Sequence, residues 1–343
     1  MKAKNENLVN MNRSKLQDVI PLSTPYTIAI DPCNLCNFKC EFCAMHASDE
    51  KQDFKKQNMP LDLFKKIIDD LSEFPQKLKV LRINGQGEPL INIHLPEMIA
   101  YAKKKNIADF IEIITNGSLL QPDLNRKLVQ SGLHRIRISV EAVDEEGYLD
   151  LSKAKIDFNK FRDNIRDLYE NKGKCEIYVK IVDVAVPTEE DKQKFFALFG
   201  DICDRIFIDN VIPLWSDFNE LEENFQLKTQ LGVHGQVVKN VNVCPFPFYS
   251  FLINPEGQVT ACCADWKRKL VIGDVSKEKL INIWNGQILN KLWINMLEGN
   301  MKNYEMCKKC LLPSYDCNDN IDEFTDVILK NLELKKGENN EVW

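Results

Sequence analysis

Three observations predict an α/β fold built on a parallel sheet. Six Ile- and Val-rich runs recur along the chain, amphipathic helical patterns separate them, and a cysteine loop follows the first run directly. The candidate strands are YTIAID (26–31), LKVLRING (78–85), FIEIITNG (110–117), HRIRISVEA (134–142), CEIYVKIVDVAV (175–186) and DRIFIDNVI (204–212). Their starts lie some 25–50 residues apart, the spacing of βα units that build a parallel sheet. Between them Leu61, Phe64, Ile67, Ile68 and Leu71 recur at helical spacing, as do Phe158, Phe161, Ile165 and Leu168.

The loop after the first strand reads CNFKCEFC and places Cys36, Cys40 and Cys43 in a C-x₃-C-x₂-C array. Three thiolates so close can wrap one corner of a cubane iron–sulfur cluster. A fourth would close it, as in ferredoxins, whereas three leave one iron open. Zinc is the competing ligand, although structural zinc sites pair C-x₂₋₄-C with a distant second pair. Cys33 is the residue that would supply a fourth local ligand. After the second strand comes Gly85-Gln86-Gly87-Glu88-Pro89. Glycines at a strand end let backbone groups approach a ligand, and Glu88 can accept a bond from an ammonium. The segment is not a dinucleotide fingerprint, because no third glycine opens the next helix. Thr115-Asn116-Gly117 ends the third strand, Ser139 lies in the fourth with Glu141 two residues on, and Lys180 lies in the fifth. Each also suits an ordinary turn, cap or core-mouth role.

The array with Phe42 before its last cysteine resembles the signature of the radical S-adenosylmethionine (radical SAM) superfamily. That resemblance implies a partial (β/α)6 TIM-like barrel with its chemistry at the C-terminal ends of the strands. It also implies a 4Fe-4S cluster on Cys36, Cys40 and Cys43, whose open iron is chelated by SAM. Reductive cleavage of SAM then yields a 5′-deoxyadenosyl radical that abstracts hydrogen from carbon. Phe42 would lie near the adenine, where an aromatic plane offers stacking. Gly87, Glu88 and Pro89 match the family's G-G-E-P motif, which contacts the SAM amino group; Gln86 replaces its first glycine. Thr115, Asn116 and Ser139 occupy strand ends that in relatives contact SAM.

A second cysteine-rich region carries Cys244, Cys262, Cys307 and Cys310 as C-x₁₂-G-x₄-C, a gap, and C-x₂-C. Asn254-Pro255-Glu256-Gly257 is a hairpin turn signal, predicting two strands that carry Cys244 and Cys262. A helix is expected around Leu280–Leu297. Four thiolates suit tetrahedral zinc as well as a cluster. Downstream of such a barrel, the pattern resembles the SPASM/twitch extension, which holds auxiliary 4Fe-4S clusters. Only Cys317 follows, so the resemblance implies one auxiliary cluster, and the spacing resembles the family's twitch-domain aminocyclitol dehydrogenases. Cys33, Cys175, Cys203, Cys263 and Cys317 are left over; buried free cysteines are usually inert. Cys263, beside a candidate ligand, or another leftover cysteine is the candidate hydrogen donor.

The expected division is an N-terminal extension (1–25), a core barrel (26–212), an acidic connection (213–243), a twitch/SPASM-like domain (244–320) and a tail (321–343). A net charge of −6 argues against nucleic acid, where a basic face is expected. No apolar run of 18 residues and no signal core occur, so no membrane partner and a cytoplasmic location are expected. Twelve cysteines then point to metal or redox chemistry rather than disulfides. The expected activity is oxidation of a secondary alcohol in a carbohydrate-like or aminocyclitol small molecule, with the auxiliary cluster accepting an electron and flavodoxin or ferredoxin as reductant. Radical epimerisation of a sugar, peptide maturation and a non-catalytic iron–sulfur or zinc protein are the alternatives.

Overall fold

A computed structural model describes residues 2–6, 14–46, 54–214, 225, 227, 230–316 and 319–338. Six parallel strands lie side by side in chain order: β1 (Thr27–Ile30), β2 (Leu78–Ile83), β3 (Ala108–Thr115), β4 (Arg135–Val140), β5 (Glu176–Val182) and β6 (Arg205–Asp209). All six sit in the expected runs. β5 stops short of 186 because Asp183–Ala185 closes a 3₁₀ turn. On β4, Ile136, Ile138 and Val140 are buried while Arg135, Arg137 and Ser139 on the other face are half-buried, the period-2 alternation of a strand. Helix α1 (Leu61–Leu71) buries Phe64, Ile67, Ile68 and Leu71. Helix α5 (Phe158–Glu170) buries Phe158, Phe161, Ile165 and Leu168 and is capped by Asp157, which accepts the Lys160 N–H. These are the stripes that the periodicity picked out.

The sheet does not end at β1. β7 (Ser250–Ile253) pairs with it in parallel, Thr27 opposite Ser250, and β8 (Gln258–Thr260) and β9 (Val271–Asp274) continue antiparallel. One nine-stranded sheet, β6-β5-β4-β3-β2-β1-β7-β8-β9, therefore joins the barrel strands to the second cysteine region. The predicted hairpin turn forms, with Gly257 at φ 99°. Its strands, however, carry neither Cys244, which precedes β7, nor Cys262, which follows β8. The helix expected over 280–297 is two, Leu280–Trp284 and Gln287–Leu297, broken at Gly286. Trp284 and Trp293 on these helices are buried, and their indole N–H groups donate to the Leu22 and Pro247 carbonyls. Lys4 forms a parallel bridge to Arg205 at the β6 edge, and helix Thr325–Glu338 contributes Ile328 to the core.

The inner face of β2–β5 is polar. Glu112 is buried and is bonded by Arg82, Arg135 and Arg137. Burial would lift its carboxyl, but the guanidiniums, Arg82 first, hold it below the usual range. Arg135 lies 4.4 Å from the Phe110 ring centroid and 4.5 Å from that of Tyr178. Among the described residues no helix is long and apolar enough to cross a membrane.

Candidate active site and metal centres

Past β1 the chain enters the first cysteine loop through Asp31, whose fully buried carboxylate accepts the Cys33 N–H at 3.2 Å and the Gln86 N–H at 3.0 Å. Burial pushes Asp31 up to about 7, with the two amides opposing. Cys33 is buried, and its sulfur accepts the Leu35 N–H at 3.3 Å while facing the Leu35 carbonyl at 3.5 Å. Its thiol is thus bound within its own loop. Lys39 and Glu41 donate their N–H groups to Ser152 and Leu151 at the end of α4 (Glu145–Ser152), pinning the loop. On it Cys36 is exposed, Cys43 half-buried and Cys40 buried, and the Phe38 N–H points to the Cys36 sulfur at 3.5 Å. Burial pushes the Cys43 thiol up to about 11 and raises Cys40 and Cys36 as well, so metal binding must release their protons. Phe42 is half-buried against the main core.

Gly87 fits because it has no side chain. A Cβ there would meet the Cys33 carbonyl oxygen at 2.2 Å and that of Leu35 at 2.4 Å. The next residue, Glu88, donates its N–H to the Leu35 carbonyl at 2.8 Å. Its buried carboxylate accepts the Leu90 N–H at 3.0 Å, the Thr115 hydroxyl at 2.5 Å and the Asn116 N–H at 2.7 Å. Burial lifts Glu88 to about 7 against those bonds. Glu88 thus ties the loop after β2 to the loop after β3. Pro89 opens the 3₁₀ turn Pro89–Ile91. Asn116 donates to the Asn37 side chain at 3.0 Å, so Gly87, Glu88, Thr115 and Asn116 form one bonded unit with the cysteine loop. Ser139 sits apart on the inner face of β4, opposite Lys180 of β5.

Sequence reasoning missed three groups here, Asp209, His234 and Asp316. Asp209, at the end of β6, accepts from Lys180 at 3.1 Å and lies 2.9 Å from Nδ1 of His234; Nε2 of that ring is 3.7 Å from Asp316. Burial lifts Asp316, with His234, Arg82 and Lys180 pulling back. Glu141 is buried and, among the described residues, its carboxylate accepts no hydrogen bond; burial pushes it up to about 7, with Lys180 opposing. Asp209, His234 and Asp316 come from three distant segments, so no spacing marks them. Cys263 is exposed, and the Arg82 guanidinium is among the groups that favour its thiolate, after its bond to Cys262.

Cys244, Cys262, Cys307 and Cys310 line a single pocket, together with Leu270, Met296, Met301 and Met306. The Ala264 N–H donates to the Cys262 sulfur at 3.3 Å. Burial pushes Cys307 up to about 12 and raises Cys310. Among the described residues no three ligating side chains meet closely enough to hold a single ion. Four thiols lining one pocket supply the ligand count of a tetrahedral zinc ion or of one cubane. A small apolar cluster of Met45, Trp266 and Met306 separates the two sites, touching Cys43 and Cys310. Cys175 and Cys203 are buried in the main core, and Cys317 lies outside the described residues.

Residues 30–198 match the profile of the radical SAM superfamily, and residues 244–311 that of SPASM, an iron–sulfur cluster-binding domain. The tungsten-containing aldehyde ferredoxin oxidoreductase cofactor-modifying protein of Pyrococcus furiosus is 35% identical over 109 residues, 32% of this chain and 28% of that protein. The chain thus aligns with less than a third of that relative's length. Among solved structures, BtrN in complex with AdoMet and 2-DOIA superposes with a TM-score of 0.55 at 18% identity, covering 87% of this chain and 97% of that one. Streptococcus suis SuiB bound to precursor peptide SuiA gives 0.59 at 14% identity, covering 92% and 79%. At these identities the likeness is one of fold.

Proposed function

The chain belongs to the radical SAM superfamily and carries a SPASM-type iron–sulfur domain, and on that premise we propose that it oxidises a secondary alcohol of a carbohydrate-like or aminocyclitol substrate to a ketone. When bound, SAM and the clusters supply one-electron chemistry: hydrogen abstraction from carbon at the first site and electron transfer at the second. In this reading Cys36, Cys40 and Cys43 hold the SAM-binding cluster, and Gly87, Glu88, Pro89, Thr115, Asn116 and Ser139 shape the SAM pocket beside Phe42. Cys244, Cys262, Cys307 and Cys310 hold the auxiliary cluster.

The observation that carries the proposal is the second pocket. Its four thiols meet the full ligand count of one cubane, so they leave no iron for substrate, and the surrounding side chains are largely apolar. Such a site exchanges electrons. A substrate radical on the inner face must also lose its hydroxyl proton. This reading assigns the proton to His234, whose Nδ1 lies 2.9 Å from Asp209 and whose Nε2 lies 3.7 Å from Asp316. Lys180 fixes Asp209 from the other side.

The test is anaerobic turnover of amino sugars and aminocyclitols, with 5′-deoxyadenosine and product counted per SAM consumed. One ketone per 5′-deoxyadenosine is expected; a product isomeric with the substrate overturns the reading. One observation favours the second reading, radical epimerisation: Cys263 is exposed, and after its bond to Cys262 the Arg82 guanidinium favours its thiolate. In that case its thiol returns hydrogen, and solvent deuterium enters at the reacting carbon in the wild type but not in Cys263→Ala.

A further inference from the structure

Gln86 is the residue at which this chain departs from the G-G-E-P pattern, and it is flanked by two glycines that cannot carry side chains. A Cβ at Gly85 would lie 2.2 Å from the Asp31 carboxyl carbon, and one at Gly87 2.2 Å from the Cys33 carbonyl oxygen. Position 86 is therefore the place in this turn from which a side chain can leave. The Gln86 side chain crosses to the second cysteine region. Its amide oxygen accepts from Arg268, Nε at 3.2 Å and a terminal nitrogen at 3.0 Å, and its amide nitrogen lies 3.4 Å from the Asp265 carbonyl.

Both ends of that bridge are fixed. At one end the Gln86 backbone N–H donates to Asp31, whose other oxygen holds the Cys33 N–H. At the other end Asp265 donates its N–H to the Cys262 carbonyl at 3.3 Å, and its carboxylate accepts the Lys269 and Leu270 N–H groups at 3.0 and 2.6 Å. Arg268 is buried, pairs with Glu256, lies 3.6 Å from the Phe54 ring centroid, and adopts a left-handed φ of 54°. A non-glycine residue in that region needs outside contacts to hold it there. Arg268 gets them from Gln86, Glu256 and Phe54.

We infer that Gln86 is a positioning residue: through Arg268 and Asp265 it docks the Cys262–Leu270 loop on the SAM-motif turn, so that SAM binding at the first site is felt at the second cysteine site. The chain of bonds runs Cys33–Asp31–Gln86–Arg268 and Asp265–Cys262, and it is continuous. It rests on the reading that both cysteine sets hold clusters.

The experiment compares the full-length wild type with Gln86→Ala and Gln86→Glu. Iron is counted after anaerobic loading, and about eight per chain in all three checks the cluster reading by itself. Amide exchange of residues 262–270 is then measured in the metal-free chain. Loss of three bonds each worth about 1 kcal/mol speeds exchange about a hundredfold in Gln86→Ala, while Gln86→Glu, which keeps the acceptor for Arg268 and loses only the donor to Asp265, speeds it about fivefold. In the loaded proteins, adding SAM shifts the reduction potential and EPR signal of the second cluster in the wild type and in Gln86→Glu, but not in Gln86→Ala. Wild-type exchange together with a wild-type SAM response in Gln86→Ala overturns the inference, as does a Gln86→Glu protein that behaves like Gln86→Ala.

Discussion

The two cysteine regions solve opposite problems. The first gathers Cys36, Cys40 and Cys43 within one short loop and surrounds them with buried carboxyls, Asp31, Glu88 and Glu141. The second collects Cys244, Cys262, Cys307 and Cys310 from segments far apart in sequence and lines their pocket with Met and Leu side chains. A polar, under-ligated site can take a charged ligand onto open iron. An apolar, fully ligated one is shielded from ligands and can only exchange electrons. Under the proposed function, that difference would assign bond breaking to the first and electron storage to the second.

The most severe test separates those assignments. Cys43→Ala and Cys310→Ala are each expected to lower iron from about eight to about four per chain, since each cubane needs its full ligand set. Their chemistry differs. Cys43→Ala takes 5′-deoxyadenosine formation to background, whereas Cys310→Ala still forms it and loses ketone product. Equal loss of both products in the two variants would erase the contrast.

A smaller effect tests the polar side. Glu141 has its carboxyl lifted from 4.5 to about 7 by burial. A folded-state value above the unfolded one means that the folded chain binds the proton more tightly. Wild-type stability from this group is therefore full below about pH 4.5 and is lost as pH rises through about 7. Glu141→Gln removes that loss. In the metal-free chain the two proteins are expected to be equally stable near pH 4, with the Glu141→Gln variant ahead by about 3 kcal/mol at pH 8, read by denaturant titration. A difference independent of pH would show that Glu141 is charged and satisfied in the fold.

The same contrast decides what could be read from sequence. The first loop was legible because its ligands, its preceding strand and its motif are local: spacing alone puts three thiols together, and period-2 runs place them at a strand end. The helix faces of Phe64–Leu71 and Phe158–Leu168 were legible for the same reason. The parallel pairing of β1 with β7 was not, since nothing in either strand names a partner some two hundred residues away. Cys244 and Cys262 were assigned to hairpin strands because the turn signal is strong, yet they fall outside, where the chain is free to bend toward the pocket. Asp209, His234 and Asp316 carry no pattern at all, because only the folded chain brings them together. Gln86 was visible only as a departure from a motif; its reason is Arg268, 182 residues on.

The mildest test concerns two glycines, one in each region. At Gly87 an added Cβ meets the Cys33 and Leu35 carbonyl oxygens at 2.2 and 2.4 Å, backbone atoms that cannot turn aside. Gly87→Ala must therefore push the cysteine loop outward, at about 1–3 kcal/mol for an overpacked contact. At Gly257 the nearest atom to an added Cβ is 3.3 Å away, a Val275 methyl, and the cost of Gly257→Ala comes from φ 99°, about 1–2 kcal/mol. Denaturant midpoints should thus fall by similar amounts in the two variants. The visible absorption change on adding SAM should vanish in Gly87→Ala alone, because the displaced backbone there carries both the SAM motif and the loop leading to Cys36. If Gly257→Ala also lost it, strain in the second region would be reaching the first by a route other than local packing, and the division of labour between the two cysteine sites would have to be redrawn.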